Sequence, residues 1–163
     1  MTRVPFTTTW IEQGKILAGS IPQLPQDLEA LRSMGIHSIL SLTRRDPRTY
    51  PDMYWLLQEN FIWSQWPIPD NSVAEETIMV SAASTIEDRL NHADEAPIYV
   101  HCRGGVGRTG MVLLAYYVLH RGMTLAQAKE IVKVRRNYEG NASAIDQGSP
   151  QKEWIDLLES KRG

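Results

Sequence analysis

Apolar and polar positions along the chain fall into two periods, short β-rich runs and helical repeats, that take turns from one end to the other. "TTTWIEQGKILAGSIP", residues 7–22, places a Gln-Gly turn signal between two short apolar pieces and predicts an N-terminal hairpin. Leu28, Leu31 and Met34 recur at three-residue spacing and Gly35 closes them, which predicts a helix. "IHSILSLT" (36–43) reads as a strand, "PDMYWLLQEN" (51–60) as a short helix with Pro51 at its start, and "FIWSQWPIP" (61–69) as a strand ended by prolines. Ile78, Ala82, Ile86 and Leu90, four apart, predict a long helix from Val73 to Asp94. "PIYVHC" (97–102) is a strand and "RTGMVLLAYYVLHRG" (108–122) a buried helix ending near Gly122. Thr124 is a plausible N-cap for a helix with Ala128, Ile131, Val132 and Arg135 at helical spacing, and "PQKEWIDLLES" (150–160) is a last helix opened by proline. The five tryptophans, Trp10, Trp55, Trp63, Trp66 and Trp154, are mostly assigned to core and sheet packing.

Strands alternating with helices give an α/β class: one domain over residues 1–163, with a central, mostly parallel, twisted sheet flanked by helices. No repeat, low-complexity segment or linker divides it. In such sheets a ligand sits beyond the carboxyl ends of the strands. The ends to watch follow Thr43, Ile68 and His101.

Composition narrows the partners. Hydrophobic residues are 42% and charged residues 22%, and a net charge of -2 argues against a general binder of nucleic acid or membrane surfaces while allowing a local basic pocket. The first residues lack the apolar core of a secretory signal, and the longest apolar run, residues 111–119, is far short of a membrane span of about twenty residues. A single cysteine forms no internal disulfide, so a reducing, cytoplasmic setting is expected.

That cysteine lies in "VHCRGGVGRTG", between a strand and a buried helix. A lone cysteine there is usually a small core residue, and glycines usually mark turns. The whole pattern does something more specific. Gly104, Gly105 and Gly107 let the backbone of Arg103–Arg108, Val106 included, turn its N–H groups onto one phosphate, and the following helix aims its positive end at the same point. The same field favours the ionised form of the Cys102 sulfur, poised as a nucleophile. Arg108 grips two phosphate oxygens through its planar fork, and Thr109 can donate its hydroxyl to the sulfur. His101 orients the loop through backbone hydrogen bonds rather than transferring protons.

"VHCRGGVGRTG" resembles the signature loop of the cysteine-dependent protein tyrosine phosphatase superfamily, and the short chain resembles its dual-specificity branch. "GKILAGSIPQLPQDLEALRSMGIHSILSLTRR", "WPIPD" and "AIDQGSPQ" are similar, in the same order, to segments of small atypical dual-specificity phosphatases and their bacterial and archaeal relatives. The resemblance implies a phosphocysteine intermediate that water hydrolyses, with no metal and no cofactor. It implies a general acid at Asp70, about thirty residues before the nucleophile, with Asp46, Glu75 and Glu76 as rivals. It implies a water-positioning glutamine at Gln151, with Gln147 the competing register; relatives often carry Arg-Pro-Gly just upstream, where this chain has "NYEGNAS". Arg44, Arg45 and Arg48, after a strand end, and Arg135 and Arg136, near a helix end, are candidates for the substrate rim or for solvated turns.

The function expected is hydrolysis of phosphotyrosine, and of phosphoserine or phosphothreonine if the pocket is shallow, on a protein or peptide partner. The alternatives are a nonprotein phosphate such as a phosphoinositide or an RNA 5′ end, a sulfur-transferase or arsenate reductase, and a phosphopeptide-binding module without turnover. No lysine in the loop disfavours the most anionic lipid headgroups, no second cysteine resolves an arsenate intermediate, and intact Cys102 and Arg108 disfavour the inert module.

Overall fold

The computed structural model describes residues 5–45, 49–69, 76–103, 107–136 and 154–162, with the backbone alone for 133–136. Among these residues the short apolar runs become five strands: β1 (Thr8–Glu12), β2 (Ile16–Gly19), β3 (Ser38–Ser41), β4 (Ile62–Gln65) and β5 (Ile98–His101). They form one sheet in the order β1-β2-β5-β3-β4. Only β1 runs antiparallel, as the partner of β2 in the expected hairpin; β2–β5, β5–β3 and β3–β4 pair in parallel. The hairpin turn uses Gly14 at φ +74°, a conformation that favours glycine.

Among the described residues five helices cover the two faces: α1 (Pro25–Ser33), α2 (Met53–Asn60), α3 (Glu76–Leu90), α4 (Gly107–Arg121) and α5 (Leu125–Arg136). A 3-10 helix, Leu158–Lys161, closes the described chain. The period-2 alternation of the strands decides which residue meets which layer. Ile16, Ala18, Leu40, Ile98 and Val100 join Cys102 in the larger core, packed with Met79, Ala82, Ala83 and Ile86 of α3 and with α4. Their alternating neighbours Leu17, Ile39 and Tyr99 face the smaller core, with Leu28 and Leu31 of α1 and Met53 and Leu57 of α2.

Helix α4 is buried all round from Arg108 to Val118, as its unbroken apolar run requires. Each Leu or Val so buried contributes about 1.5–3 kcal/mol of transfer free energy.

Element ends differ from the sequence expectation. Strands β3 and β4 stop at Ser41 and Gln65 rather than running to Thr43 and Ile68, although Leu42, Trp66 and Ile68 still donate backbone hydrogen bonds to His101, Ser41 and Leu42. Helix α3 stops at Leu90, short of Asp94: residues 91–97 must reverse the chain into β5, and backbone N–H groups of Glu95 and Ala96 turn back onto the His92 carbonyl. Pro51 lies in the turn before α2, whose N-cap is Asp52, so it does not occupy the first helical position. Trp55 is 62% exposed and packs neither core nor sheet.

Candidate active site

Strand β5 is the middle strand, so the residue that follows it leaves the centre of the sheet at its carboxyl edge. That residue is Cys102, 3% exposed and unpaired. Five residues later Gly107 opens α4, so the sulfur lies at the passage from a central strand into a helix N-terminus. Arg103 is exposed, and its carbonyl accepts a hydrogen bond from the Ile21 N–H at 2.9 Å, tying the start of the loop to the exit of β2. Gly104, Gly105 and Val106 lie outside the described residues.

Arg108 is buried in the first turn of α4. Its Nη1 donates to the Ile68 carbonyl at 3.0 Å, which reaches the chain two residues ahead of Asp70. Thr109 is fully buried, and its hydroxyl has no hydrogen-bond partner among the described residues, the Cys102 sulfur included.

His101 is buried between two acceptor-rich neighbours. Nδ1 lies 2.9 Å from the Cys102 carbonyl and Nε2 lies 2.6 Å from Ser41 Oγ, while the ring stacks on Tyr99 at 5.8 Å between centroids. Burial pushes its pKa down to about 4; the Arg108 charge acts in the same direction, against the bond to the Cys102 carbonyl. At neutral pH the ring is uncharged. A carbonyl only accepts, so Nδ1 carries the proton and Nε2 accepts from Ser41.

Behind this edge the packing is tight. Gly19 pairs with His101 in register, and a Cβ on it would meet the Thr7 carbonyl and the Tyr99 hydroxyl. That hydroxyl donates to the Ser20 carbonyl at 2.5 Å.

The rim residues divide. Arg44 and Arg45 follow the carboxyl end of β3 and are exposed; the Arg45 guanidinium lies 4.5 Å over the Tyr54 ring. Glu76, one rival for the acid, is paired with Lys161 at 2.7 Å. Asp70, Asp46, Glu75, Arg48, Gln147 and Gln151 lie outside the described residues, as do the side chains of Arg135 and Arg136. Ser41 and Trp63 sit at this edge without having been singled out in the sequence. The available signal was a polar Ser41 directly after the apolar pair Ile39–Leu40 of β3, a signal that Ser38 at the start of the same strand shares.

Among the described residues, Asp88, His92 and Glu95 bring possible metal ligands within 4.8 Å of one another at the far end of α3. Arg89 already lies 2.9 Å from Asp88 and 3.6 Å from Glu95, and the His92 Nδ1 proton goes to the Asp88 carbonyl and to Glu95. The cluster precedes β5 and takes no part in the site that follows it.

Comparison with known proteins points one way. A family model described as the Swiss Army Knife protein DSP-PTPase phosphatase domain, PTP-SAK, matches residues 5–150. Dual specificity protein phosphatase 2 of Mus musculus is 26% identical over 110 residues, covering 68% of this chain and 32% of that protein. The Arabidopsis thaliana phosphatidylinositol 3,4,5-trisphosphate 3-phosphatase and protein-tyrosine-phosphatase PTEN1 is 32% identical over 115 residues, covering 69% of this chain and 26% of that protein. The chain thus spans a third or less of each of these two relatives. Among solved structures, Tk-PTP in its active form superposes with a TM-score of 0.76 at 23% identity, over 94% of this chain and 97% of that one. Kinase associated phosphatase gives 0.77 at 18% identity, over 99% and 97%.

Proposed function

The chain belongs to the dual-specificity class of cysteine-dependent tyrosine phosphatases, and from that premise we propose that it hydrolyses phosphotyrosine on proteins through a phosphocysteine intermediate. Phosphoserine and phosphothreonine are further substrates in this reading. The observation that carries it is the placement of Cys102 between the central strand and the N-terminus of α4, with Arg108 buried in the first turn of that helix.

In the first step the ionised Cys102 sulfur attacks phosphorus and the bond to the leaving oxygen breaks. The Arg108 guanidinium and the N–H groups of Arg103 to Arg108 stabilise charge on the three equatorial oxygens. Asp70, as the acid, gives its proton to the leaving oxygen. In the second step water attacks phosphorus, Asp70 takes the water proton, and the S–P bond breaks to free phosphate and regenerate the sulfur. Gln151 positions that water. The Thr109 hydroxyl, without a partner among the described residues, is available to the departing sulfur, and neutral His101 holds the loop. The bond from Arg108 to the Ile68 carbonyl supports Asp70 as the acid, because it ties the arginine to the segment that carries it.

The reading takes residues 1–163 as one catalytic domain working without metal in a cytoplasmic setting. It is supported by the single cysteine, and among the described residues no helix is long and apolar enough to cross a membrane. Arg44, Arg45, Arg48 and Arg136 would form the rim. A second reading, a phosphoinositide as substrate, is favoured by the likeness to the Arabidopsis protein; the exposed Arg103 with no lysine in the loop favours protein substrates.

The test is turnover of p-nitrophenyl phosphate with chelator present, followed by a panel of phosphotyrosyl and phosphothreonyl peptides, phosphoinositides and 5′-phosphorylated RNA. Cys102→Ser is expected to abolish turnover and Arg108→Lys to reduce it by at least about 100-fold, the scale of losing a preorganised donor to the transition state. Turnover surviving in Cys102→Ser overturns the mechanism; preference for a phosphoinositide overturns the substrate.

A further inference from the structure

Three hydrogen bonds cross the carboxyl edge of the sheet on the face covered by α1 and α2. The Trp63 indole on β4 can only donate, and its Nε1–H reaches Ser41 Oγ at 2.9 Å. The single Ser41 proton goes on to His101 Nε2 at 2.6 Å, and the His101 Nδ1 proton goes to the Cys102 carbonyl at 2.9 Å. A donor-only group at one end and an acceptor-only group at the other fix the direction of every proton between them. These contacts join residues 22 and 60 positions apart, and the parallel register that sets Ser41 opposite His101 brings them together.

The far end of the chain has a geometric consequence. In a trans peptide the C=O and the next N–H point in opposite directions. A Cys102 carbonyl held towards His101 therefore turns the Arg103 N–H, the first amide of the loop, away from His101. The Arg103 carbonyl is held in turn by the Ile21 N–H. Arg103 is thus flanked by two held carbonyls, that of Cys102 before it and its own after it.

We propose that Ser41 and Trp63 are positioning residues for the phosphatase reaction: through His101 they hold one imidazole tautomer and so set the orientation of the Cys102–Arg103 peptide. The inference rests on the function proposed above for its reaction. A polar chain that merely satisfied buried groups would cost stability when broken and leave the chemistry alone. Among the described residues, the titratable and charged groups facing the His101 ring are Tyr99 on its own strand, the adjoining Cys102 and Arg108 of α4, with neutral Ser41 bonded to it from β3 and Trp63 bonded to Ser41 from β4.

The test labels histidine with nitrogen-15 in the full chain and reads the His101 ring nitrogens by NMR beside the pH profile of kcat for p-nitrophenyl phosphate. In the wild type Nδ1 is expected to bear the proton. Ser41→Ala is expected to release that tautomer and to lower kcat about tenfold, the upper range for one lost hydrogen bond, with Ser41→Thr restoring both. Trp63→Phe, which keeps the Ser41 hydroxyl, is expected to shift the Nε2 resonance and lower kcat about two- to threefold. A folded Ser41→Ala with unchanged ring nitrogens and unchanged kcat overturns the inference even if it melts earlier. If Ser41→Ala does not fold, an indifferent Trp63→Phe overturns it. A wild type without turnover overturns the proposed function instead, whereas active wild type with indifferent variants overturns this inference alone.

Discussion

His101 is a charged residue type that the fold keeps uncharged, and that choice has a measurable pH signature. An unfolded histidine takes up a proton below about pH 6.5, whereas native His101 resists until about 4. Between those values the unfolded state binds more protons, so stability rises with pH across the window and is lost as pH falls through it. His101→Asn is expected to flatten this part of the urea-unfolding profile; the wild type should lose up to about 3 kcal/mol more than the variant between pH 6.5 and 4. At this scale the sequence was informative where chemistry is local. Cys102 and Arg108, six positions apart, could be read as one motif because a single strand–loop–helix passage holds both. The partners of His101 could not, because Ser41 and Trp63 reach it only through sheet pairing.

Among the elements, α5 shows how a few residues set a boundary. Thr124 Oγ1 accepts the Gln127 N–H at 3.1 Å and Gln127 Oε1 accepts the Thr124 N–H at 3.0 Å, a reciprocal capping box. Thr124→Ala is expected to lower stability by about 1 kcal/mol and the melting temperature by about 2–4 °C, with kcat unchanged; chemical and thermal unfolding beside a turnover assay check it. Helices with strong caps or unbroken apolar faces, α1, α4 and α5, were readable in the sequence because the signals are local. The ends of β3, β4 and α3 were not. Apolar periodicity runs past the point where the sheet partner stops or the chain must reverse, and nothing local marks that point. Trp55 fails differently: aromatic character suggested burial, but on α2 it faces away from Met53 and Leu57, which fill the core.

Across the whole molecule the two ends of the sheet carry different tasks. At the pole away from Cys102, Glu12 of β1 accepts hydrogen bonds at 2.8 Å from both the Tyr117 hydroxyl and Arg121, fastening the antiparallel edge strand to the end of α4. Burial raises the Tyr117 pKa, so the hydroxyl stays a donor throughout the working pH range. Tyr117→Phe is expected to cost about 1 kcal/mol of stability and leave kcat/KM unchanged, measured by urea unfolding and steady-state kinetics. Equal losses of activity and stability would mean that the two poles are coupled.

The alternation along β5 has one more consequence. Ile98, Val100 and Cys102 belong to one layer and Tyr99 to the other, with His101 stacked upon it. The strand therefore works as a reading frame for Cys102. Adding or removing one amino acid within it would exchange Cys102 with its neighbour across the sheet and, on the function proposed above, abolish turnover, whatever residue was chosen.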